Sequence, residues 1–504
     1  MVHHLKTEII KHKLVYFVLF FILVGALFVR IYRTEVILSF YFDQGRDAKV
    51  VYDLWHNGKF FLLGPTTGIA GIFRGPFYYY LVTPLYLLSQ GDPVFPANFL
   101  GASTVVAIIL MYAFAAAVFD RKTGLIASFI ASFSFYLIFA SRWLSNPTPM
   151  FLLSISLVWA LYGVIKGYRW AWVLVSFIAG TSLFHFGSSG EFFYFPAIAM
   201  IALWQRKHFP TFIILVISIV VFLLTALPLI LFDWRHDGIL HKNIGGFLGG
   251  EDTFKTNFWD VLRARFEFYY STAWSKLYPG LTPVREALVA LVGISFVMLL
   301  PRLWKNDGFK LLIILLLSPI FGLLFFQGNF GNIYDYYLTG YYLIFILVFS
   351  IVLREVWRFL PGKFIVGAFL IVFMLSNTEL ISARLRDNAD GPETILFGNQ
   401  KQALDWIYAD AGNTEFNTDV YVPPVIPHAY DYLFLWYGEG RGNKVDKHVE
   451  RLYTLYEVDP PHPERLEAWI RRQATIGEIE EERRFGGITV QRRKRIYYDT
   501  QDAL

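Results

Sequence analysis

Residues 14–32 read LVYFVLFFILVGALFVRIY, and shortly after them comes Tyr41-Phe42-Asp43-Gln44-Gly45-Arg46-Asp47. A run of about 20 apolar residues is what crosses the roughly 30 Å of hydrocarbon in a bilayer. Lys6, Lys11 and Lys13 precede the run, and it continues into Arg30 and Arg33 without a small-residue cleavage site. It therefore reads as a retained span and not as a cleaved signal peptide. The acidic motif stands where the chain leaves the bilayer. This order, a span and then a charged loop, sets how the rest of the chain is read.

Ten further apolar runs follow, at 94–119, 124–141, 147–165, 170–186, 190–204, 210–232, 286–301, 311–326, 336–353 and 364–380. The chain has 504 residues, of which 55% are hydrophobic, 19% aromatic and 17% charged, where a soluble domain carries about a quarter charged. The charge is unevenly spread. Residues 1–383 hold 48 charged side chains, about 13%, while 384–504 hold 37, about 31%. This excludes a single soluble globule, a disordered chain and a coiled coil. The expected architecture is mainly α: a polytopic membrane body over 1–383, with about eleven transmembrane helices plus interfacial helices, and a small α/β domain over 384–504. Cysteine is absent, which excludes disulfides and thiolate chemistry. The net charge of +5 is too small and dispersed to indicate nucleic acid.

The segment 76–90 is short, carries Pro84, and decides the sidedness of everything after it. If it lies in the interface and the N-terminus is cytoplasmic, the short inner loops contain Arg121-Lys122, Lys166 to Arg169, Arg206-Lys207, Arg302 to Lys310 and Arg354 to Lys363, and each is basic. If it crosses, those loops face outward, against the positive-inside rule. Helices at 44–57 and 76–90 are accordingly expected in the outer interface, and the tail is expected outside the cytoplasmic membrane. Within the tail, 400–411 reads as helix, 418–422 as a strand stopped by Pro423-Pro424, and 429–437 as an aromatic docking segment. Residues 460–473 read as a charged helix, and 485–496 as a hairpin around Gly486-Gly487.

In this topology the unusual polar residues gather on the outer face, and ionisable groups at span ends mark sites. Asp43 and Asp47 are four apart and share a helical face with Arg46 beside them; they suit a general base, and equally a helix start. Glycines at 64, 68, 71 and 75 lead to Arg74 and to Pro76 at a helix N-terminus, a combination that suits phosphate or a mobile loop with a snorkelling arginine. Arg142 and Asn146 lie in the short loop 142–146. His185 ends one span and Glu191 begins the next. Asp233-Trp234-Arg235-His236-Asp237 opens the longest outer loop, and Gly245-Gly246 and Gly249-Gly250 within it suggest a lid. Residues 327–337, QGNFGNIYDYY, place Asp335 and Tyr337 in an aromatic cleft or an interfacial belt. Metal binding by Asp233, His236 and Asp237 is permitted by the residue types but not demanded by their spacing. No nucleotide-binding or hydrolase fingerprint is present. No cofactor is expected.

Taken in order, YFDQGRDA, RGPFYYYL, SRWLSNPTP and FDWRHD resemble motifs of the GT-C membrane glycosyltransferases, within them the protein O-mannosyltransferase and aminoarabinose-transferase superfamily (glycosyltransferase family 39-like). The resemblance covers about 1–380, and AYDYLFLWYG in the tail is similar to that superfamily's C-terminal domain. It implies transfer of a sugar from a polyprenyl-phosphate carrier to a protein, glycan or lipid acceptor. It implies Asp43 as general base with Asp47 as substitute. It places Arg74, Arg142, Arg235 and His236 near the donor phosphate, and leaves Arg46, Asn146, His185, Glu191, Asp237, Asp335 and Tyr337 for the substrate. Many relatives have two adjacent acids where this chain has Asp43-Gln44, and a second acid where it has Asn146. Both departures weaken a metal-dependent mechanism. The competing classes are a transporter or flippase for a lipid-linked saccharide and a non-catalytic envelope scaffold. The absence of mid-span charges disfavours the transporter.

Overall fold

A computed structural model describes residues 2–67, 71–249, 257–278, 280, 282–326, 331–386, 390–423 and 426–496. Gly68, Gly250, residues 327–330 and Pro424, all cited above, lie outside the described residues. Helices occupy every one of the eleven expected spans. Seven are long and apolar enough to cross a membrane, or eight if the bent pair Arg121–Phe133 and Phe135–Ser141 counts as one. Helices Met150–Ile165, Ala171–Thr181 and Tyr194–Trp204 are shorter; the last two are extended by a π-turn at Ser182–Phe186 and a 3-10 turn at Ser189–Phe193. The chain is a multi-pass, mainly helical membrane protein. Phe17, Phe20, Phe21, Val24 and Phe28 point outward from Lys13–Ile31, while Leu19, Ile22, Ala26 and Val29 pack inward. An outward apolar face is what hydrocarbon selects.

The bent pair turns by 68° at Ser134. A break frees backbone groups that lipid cannot satisfy, so neighbouring helices must. Arg30, fully enclosed, donates from Nη2 to the Ala131 carbonyl (2.9 Å) and from Nη1 to the Ser132 and Ala26 carbonyls (3.1 Å each). Its Nε reaches Thr104 Oγ1 at 2.9 Å. From the other side, Asn377 Oδ1 accepts from the Phe135 amide at 2.8 Å.

The expected inner loops meet at one end of the bundle. Arg121 pairs with Glu8 (2.6 Å), Arg354 with Asp120 (2.8 Å), and Arg302 and Arg358 with Glu355 (3.3 and 3.1 Å). The Glu8–Arg121 contact has a topological consequence. Lys13–Ile31 and Val94–Val118 bring the chain across and back, so a third crossing by Phe77–Leu88 would separate the two partners. Phe77–Leu88 instead stays at the opposite end, beside Phe42–Asn57 and the tail.

The tail holds a four-stranded sheet in the order β1-β2-β4-β3. Strand β1 (Asn417–Tyr421) runs parallel to β2 (Arg451–Glu457); β4 (Ile488–Arg495) is antiparallel to both β2 and β3 (Gly477–Phe485). Helices Phe397–Ala411 and Pro463–Ile476 agree with the sequence reading, and the aromatic segment 429–437 forms the helix His428–Gly438. Two features differ from it. Strand β2 was not expected, and the hairpin begins at Gly477, well before residue 485. Strand β3, GEIEEERRF, is an edge strand exposed along most of its length, so it shows no apolar alternation to read.

The tail grips the body through Phe42–Asn57. Gly45 lies against the backbone of His428 and Ala429 so closely that a Cβ would overlap both. Tyr432 Oη donates to the Gly91 carbonyl (2.5 Å) and Trp436 Nε1 to that of Gln90 (2.9 Å). Overpacking such a contact costs about 1–3 kcal/mol. Gly45→Val should therefore pry the tail helix away, seen as faster amide exchange across 428–438 with exchange in Val94–Val118 unchanged. Exchange identical to wild type would show that the contact does not hold the tail.

Candidate functional site

The site is built on the first turns of Phe42–Asn57. Gln44 closes the helix N-terminus, its Oε1 accepting from the Tyr41 amide (3.2 Å). Gln44 Nε2 reaches across to the Leu144 carbonyl (3.3 Å), fixing the helix start to the loop after the bent pair. Asp43, Arg46 and Asp47 then emerge on one side, as their spacing requires. Arg46 Nη1 pairs with Asp43 (2.8 Å), while Nη2 and Nε grip Asp47 Oδ1 (2.8 and 3.0 Å). Tyr79 Oη donates to the same Asp47 oxygen at 3.1 Å. The two carboxylates differ in exposure: the Asp43 side chain is 52% exposed and that of Asp47 only 7%. Burial raises the Asp47 pKa to about 6, against the opposing pull of Arg46. Asp43 is thus the accessible carboxylate, and Asp47 lies behind the arginine that holds it.

Tyr41 also lines a cavity of about 310 Å³. Arg142, Trp143, Asp335, Tyr336 and Arg384 face it, with apolar walls that include Ile138, Phe139 and Ile381. Arg142 donates to the Val29 and Tyr32 carbonyls (2.9 and 3.0 Å), so it also caps the end of Lys13–Ile31. Burial and then Arg384 push Arg142 down to about 10, with Glu35 a smaller opposing influence. Two guanidiniums against one apolar chamber favour an anion there. Arg384 was not singled out in the sequence, where it ends the last span like an ordinary interfacial basic residue. Lys276 was also missed. Its Nζ sits 2.9 and 2.7 Å from the two oxygens of Asp335, and over the rings of Tyr342 (4.6 Å) and Tyr136 (5.2 Å). It lies in the long outer loop with no local pattern to mark it.

Arg74 comes from a narrow loop closed by a Gly64 amide to Arg74 carbonyl bond (2.7 Å). Its guanidinium is buried facing Glu191, Tyr336 and Tyr337, and its Nε lacks a hydrogen-bond partner. Burial lowers its pKa, and Glu191 opposes the shift. Glu191 is held by the Ser188 and Gly340 amides (2.5 and 3.0 Å). Tyr337 packs edge-on against Tyr336 at 4.9 Å, and Trp143 against Tyr336 at 5.8 Å. Tyr336 thereby joins the Arg74 pocket to the cavity. His185 is placed differently: Phe77 stacks on its ring at 3.6 Å, Thr225 carbonyl binds its Nε2 (2.7 Å), and Gly75 leaves room for it. It supports the loop from below. Asn146 donates to the Phe186 carbonyl at 3.2 Å.

Arg235, His236 and Asp237 lie exposed at the end of Phe212–Arg235 and do not line the cavity. His236 Nδ1 bonds the Phe232 carbonyl at 2.8 Å, and Asp233 caps the next helix through the Leu240 amide (2.7 Å). Among the described residues no three His, Asp or Glu side chains converge on a metal-sized site.

Residues 73–232 match the family model of dolichyl-phosphate-mannose-protein mannosyltransferases. That stretch includes Arg74, Arg142, Asn146, His185 and Glu191, and begins after Asp43. Over most of its length the chain superposes on ArnT from Cupriavidus metallidurans. The apo ArnT structure gives TM-score 0.55 at 10% identity, covering 96% of this chain and 98% of that one. ArnT bound to undecaprenyl phosphate gives 0.54 at 10% identity, covering 95% and 98%. The chain has the GT-C glycosyltransferase fold. The archaeal oligosaccharyltransferase AglB from Archaeoglobus fulgidus, in complex with an inhibitory peptide and a dolichol-phosphate, matches at TM-score 0.45 and 12% identity, covering 89% of this chain and 70% of that one. No curated protein sequence matches. The fold and family match agree with the resemblance read from the motifs.

The raised Asp47 pKa gives a sign that can be checked. Between its ordinary value near 4 and about 6, the folded state holds a proton that the unfolded chain has released, so stability falls as pH rises through this window. Asp47→Asn should flatten that part of the profile. The measurement is the melting temperature of wild type and variant in detergent from pH 4 to pH 7. Parallel profiles would place the Asp47 pKa at an ordinary carboxylate value.

Proposed function

We propose that this protein transfers a glycosyl group from a polyprenyl-phosphate sugar to an acceptor hydroxyl at the outer face of the cytoplasmic membrane. The observation that carries this reading is the pairing of an accessible carboxylate, Asp43, with an apolar-walled cavity that carries Arg142 and Arg384 and begins at Tyr41, two residues away. Apolar walls suit a polyprenyl chain and the arginines suit its phosphate. The undecaprenyl phosphate bound to ArnT, which has the same fold, supports the choice of carrier. The N-terminus then lies in the cytoplasm and the tail outside, because the basic loops meet at the end opposite the site.

In this mechanism Asp43 accepts the proton of the acceptor hydroxyl. The acceptor oxygen forms its bond to the anomeric carbon as the bond from that carbon to the phosphate oxygen breaks. The lipid phosphate leaves with the electron pair, and its added charge falls among guanidiniums already in place. Arg46 fixes Asp43 while leaving half of it open. Arg74, enclosed between Glu191 and the tyrosines, supplies a further cation on the donor side.

Two variants test the reading in lipid nanodiscs supplied with polyprenyl-phosphate sugars, with release of polyprenyl phosphate and product formation measured. Asp43→Asn should lower transfer by about 10²–10⁴-fold with an unchanged melting temperature; near wild-type transfer would remove Asp43 from the mechanism. Arg74→Ala should weaken donor use by about tenfold or more, the cost of losing one charged hydrogen bond. An unchanged KM and kcat for donor would sink its phosphate role.

A further inference from the structure

The tail reaches the first turn of the helix that bears Asp43. The His428 ring packs on Phe42 with centroids 4.7 Å apart, and the Arg46 guanidinium lies 6.0 Å from the same Phe42 ring. Arg46 in turn holds Asp43 at 2.8 Å. His428 Nδ1 is 3.3 Å from Asp431 Oδ2, one helical turn on, with 25% and 38% of the two side chains exposed. The surface around Asp43 therefore runs without interruption from Arg46 over Phe42 to His428 and Asp431. Half of it belongs to the body and half to the tail.

We propose that this seam, formed by Phe42, His428 and Asp431 beside Asp43, is the acceptor subsite and takes a saccharide. The inference rests on the glycosyl-transfer reading above. Its ground is the mix of groups. Phe42 is partly exposed between His428 and Arg46, and the open part of its ring offers an apolar contact to the C–H groups of a pyranose. His428 Nδ1 is bonded to Asp431 Oδ2 and both side chains are partly exposed, so His428 Nε2 and Asp431 Oδ1 remain as polar groups for a ligand. A partly open aromatic ring with two polar groups beside it suits a sugar diol. Because Gly45 lets the tail helix approach so closely, a sugar resting on His428 and Asp431 can bring a hydroxyl to Asp43.

Saturation-transfer NMR on the full chain in nanodiscs tests this with maltose, mannobiose and diacetylchitobiose as probes, and with a serine- and threonine-containing peptide as the alternative. The expected result is saturation of at least one disaccharide, weakened by about fivefold in both His428→Ala and Asp431→Asn, the loss of roughly one hydrogen bond. Asp431→Asn keeps the shape of the seam, and its melting temperature shows that it is folded. Binding of the peptide alone, binding of no probe, or equal disaccharide binding in wild type and both variants would each overturn the proposal. Asp43→Asn separates the two readings. If it binds sugar but transfers none, both stand. If sugar binding depends on Asp431 while no polyprenyl-phosphate sugar is consumed, the subsite stands and the transfer reading falls.

Discussion

The structure depends on how one break in a membrane helix is satisfied. At Ser134 the chain turns by 68° inside the bundle, where an orphaned amide or carbonyl has no water to turn to. Arg30 and Asn377 take the freed groups from opposite sides. The bend carries Phe135–Ser141 sideways, which puts Ile138, Phe139 and then Arg142 and Trp143 on the cavity wall. Without it, the same residues would continue along a straight span. Arg30 is a buried cation in the last turn of its span whose role is bracing, which is why a charge near a span end cannot be assigned to chemistry from position alone.

Arg142 extends the same logic. Its amino groups close the end of Lys13–Ile31, while its neighbour across the cavity is Arg384. One guanidinium thus fixes the span that leads into the acidic motif and faces the chamber proposed for the phosphate. The tail acts on that motif from the other side. The Phe397 amide donates to the Leu38 carbonyl (3.0 Å), Gln400 Nε2 to that of Phe40 (2.9 Å), and Tyr41 Oη to that of Ile395 (2.9 Å). Residues 38–41 are therefore held on both sides just before Asp43. An accessible carboxylate with this much backbone support is preorganised for the role proposed for it.

Much of this was legible in the sequence. Apolar runs of span length mark helices because hydrocarbon selects them, and the pairing of loops by charge anticipated which ends meet. The four-residue spacing of Asp43 and Asp47 anticipated their shared face. What the spacing could not show is that Arg46 stands between them, leaving Asp43 open and Asp47 enclosed. Arg384, Lys276, His428 and Asp431 escaped because they become neighbours of the site only through contacts of long sequence separation. Strand β2, RLYTLYE, escaped for another reason: buried along most of its length, it has too little alternation to stand out from a short helix.

The departure at Gln44 follows from the same geometry. A second acid at that position would stand beside Asp43 and one turn from Asp47, with only Arg46 to balance three carboxylates. Glutamine keeps the acceptor oxygen that takes the Tyr41 amide and adds an amide N–H that donates to the Leu144 carbonyl. A carboxylate cannot make that second bond. The substitution trades negative charge for a tie between the acidic helix and the loop beside Arg142. It leaves one arginine matched to two carboxylates, one of them buried with its pKa raised to about 6 and the other half exposed. The motif thus leaves Asp43 as its one accessible carboxylate, with an amide and not a second acid beside it.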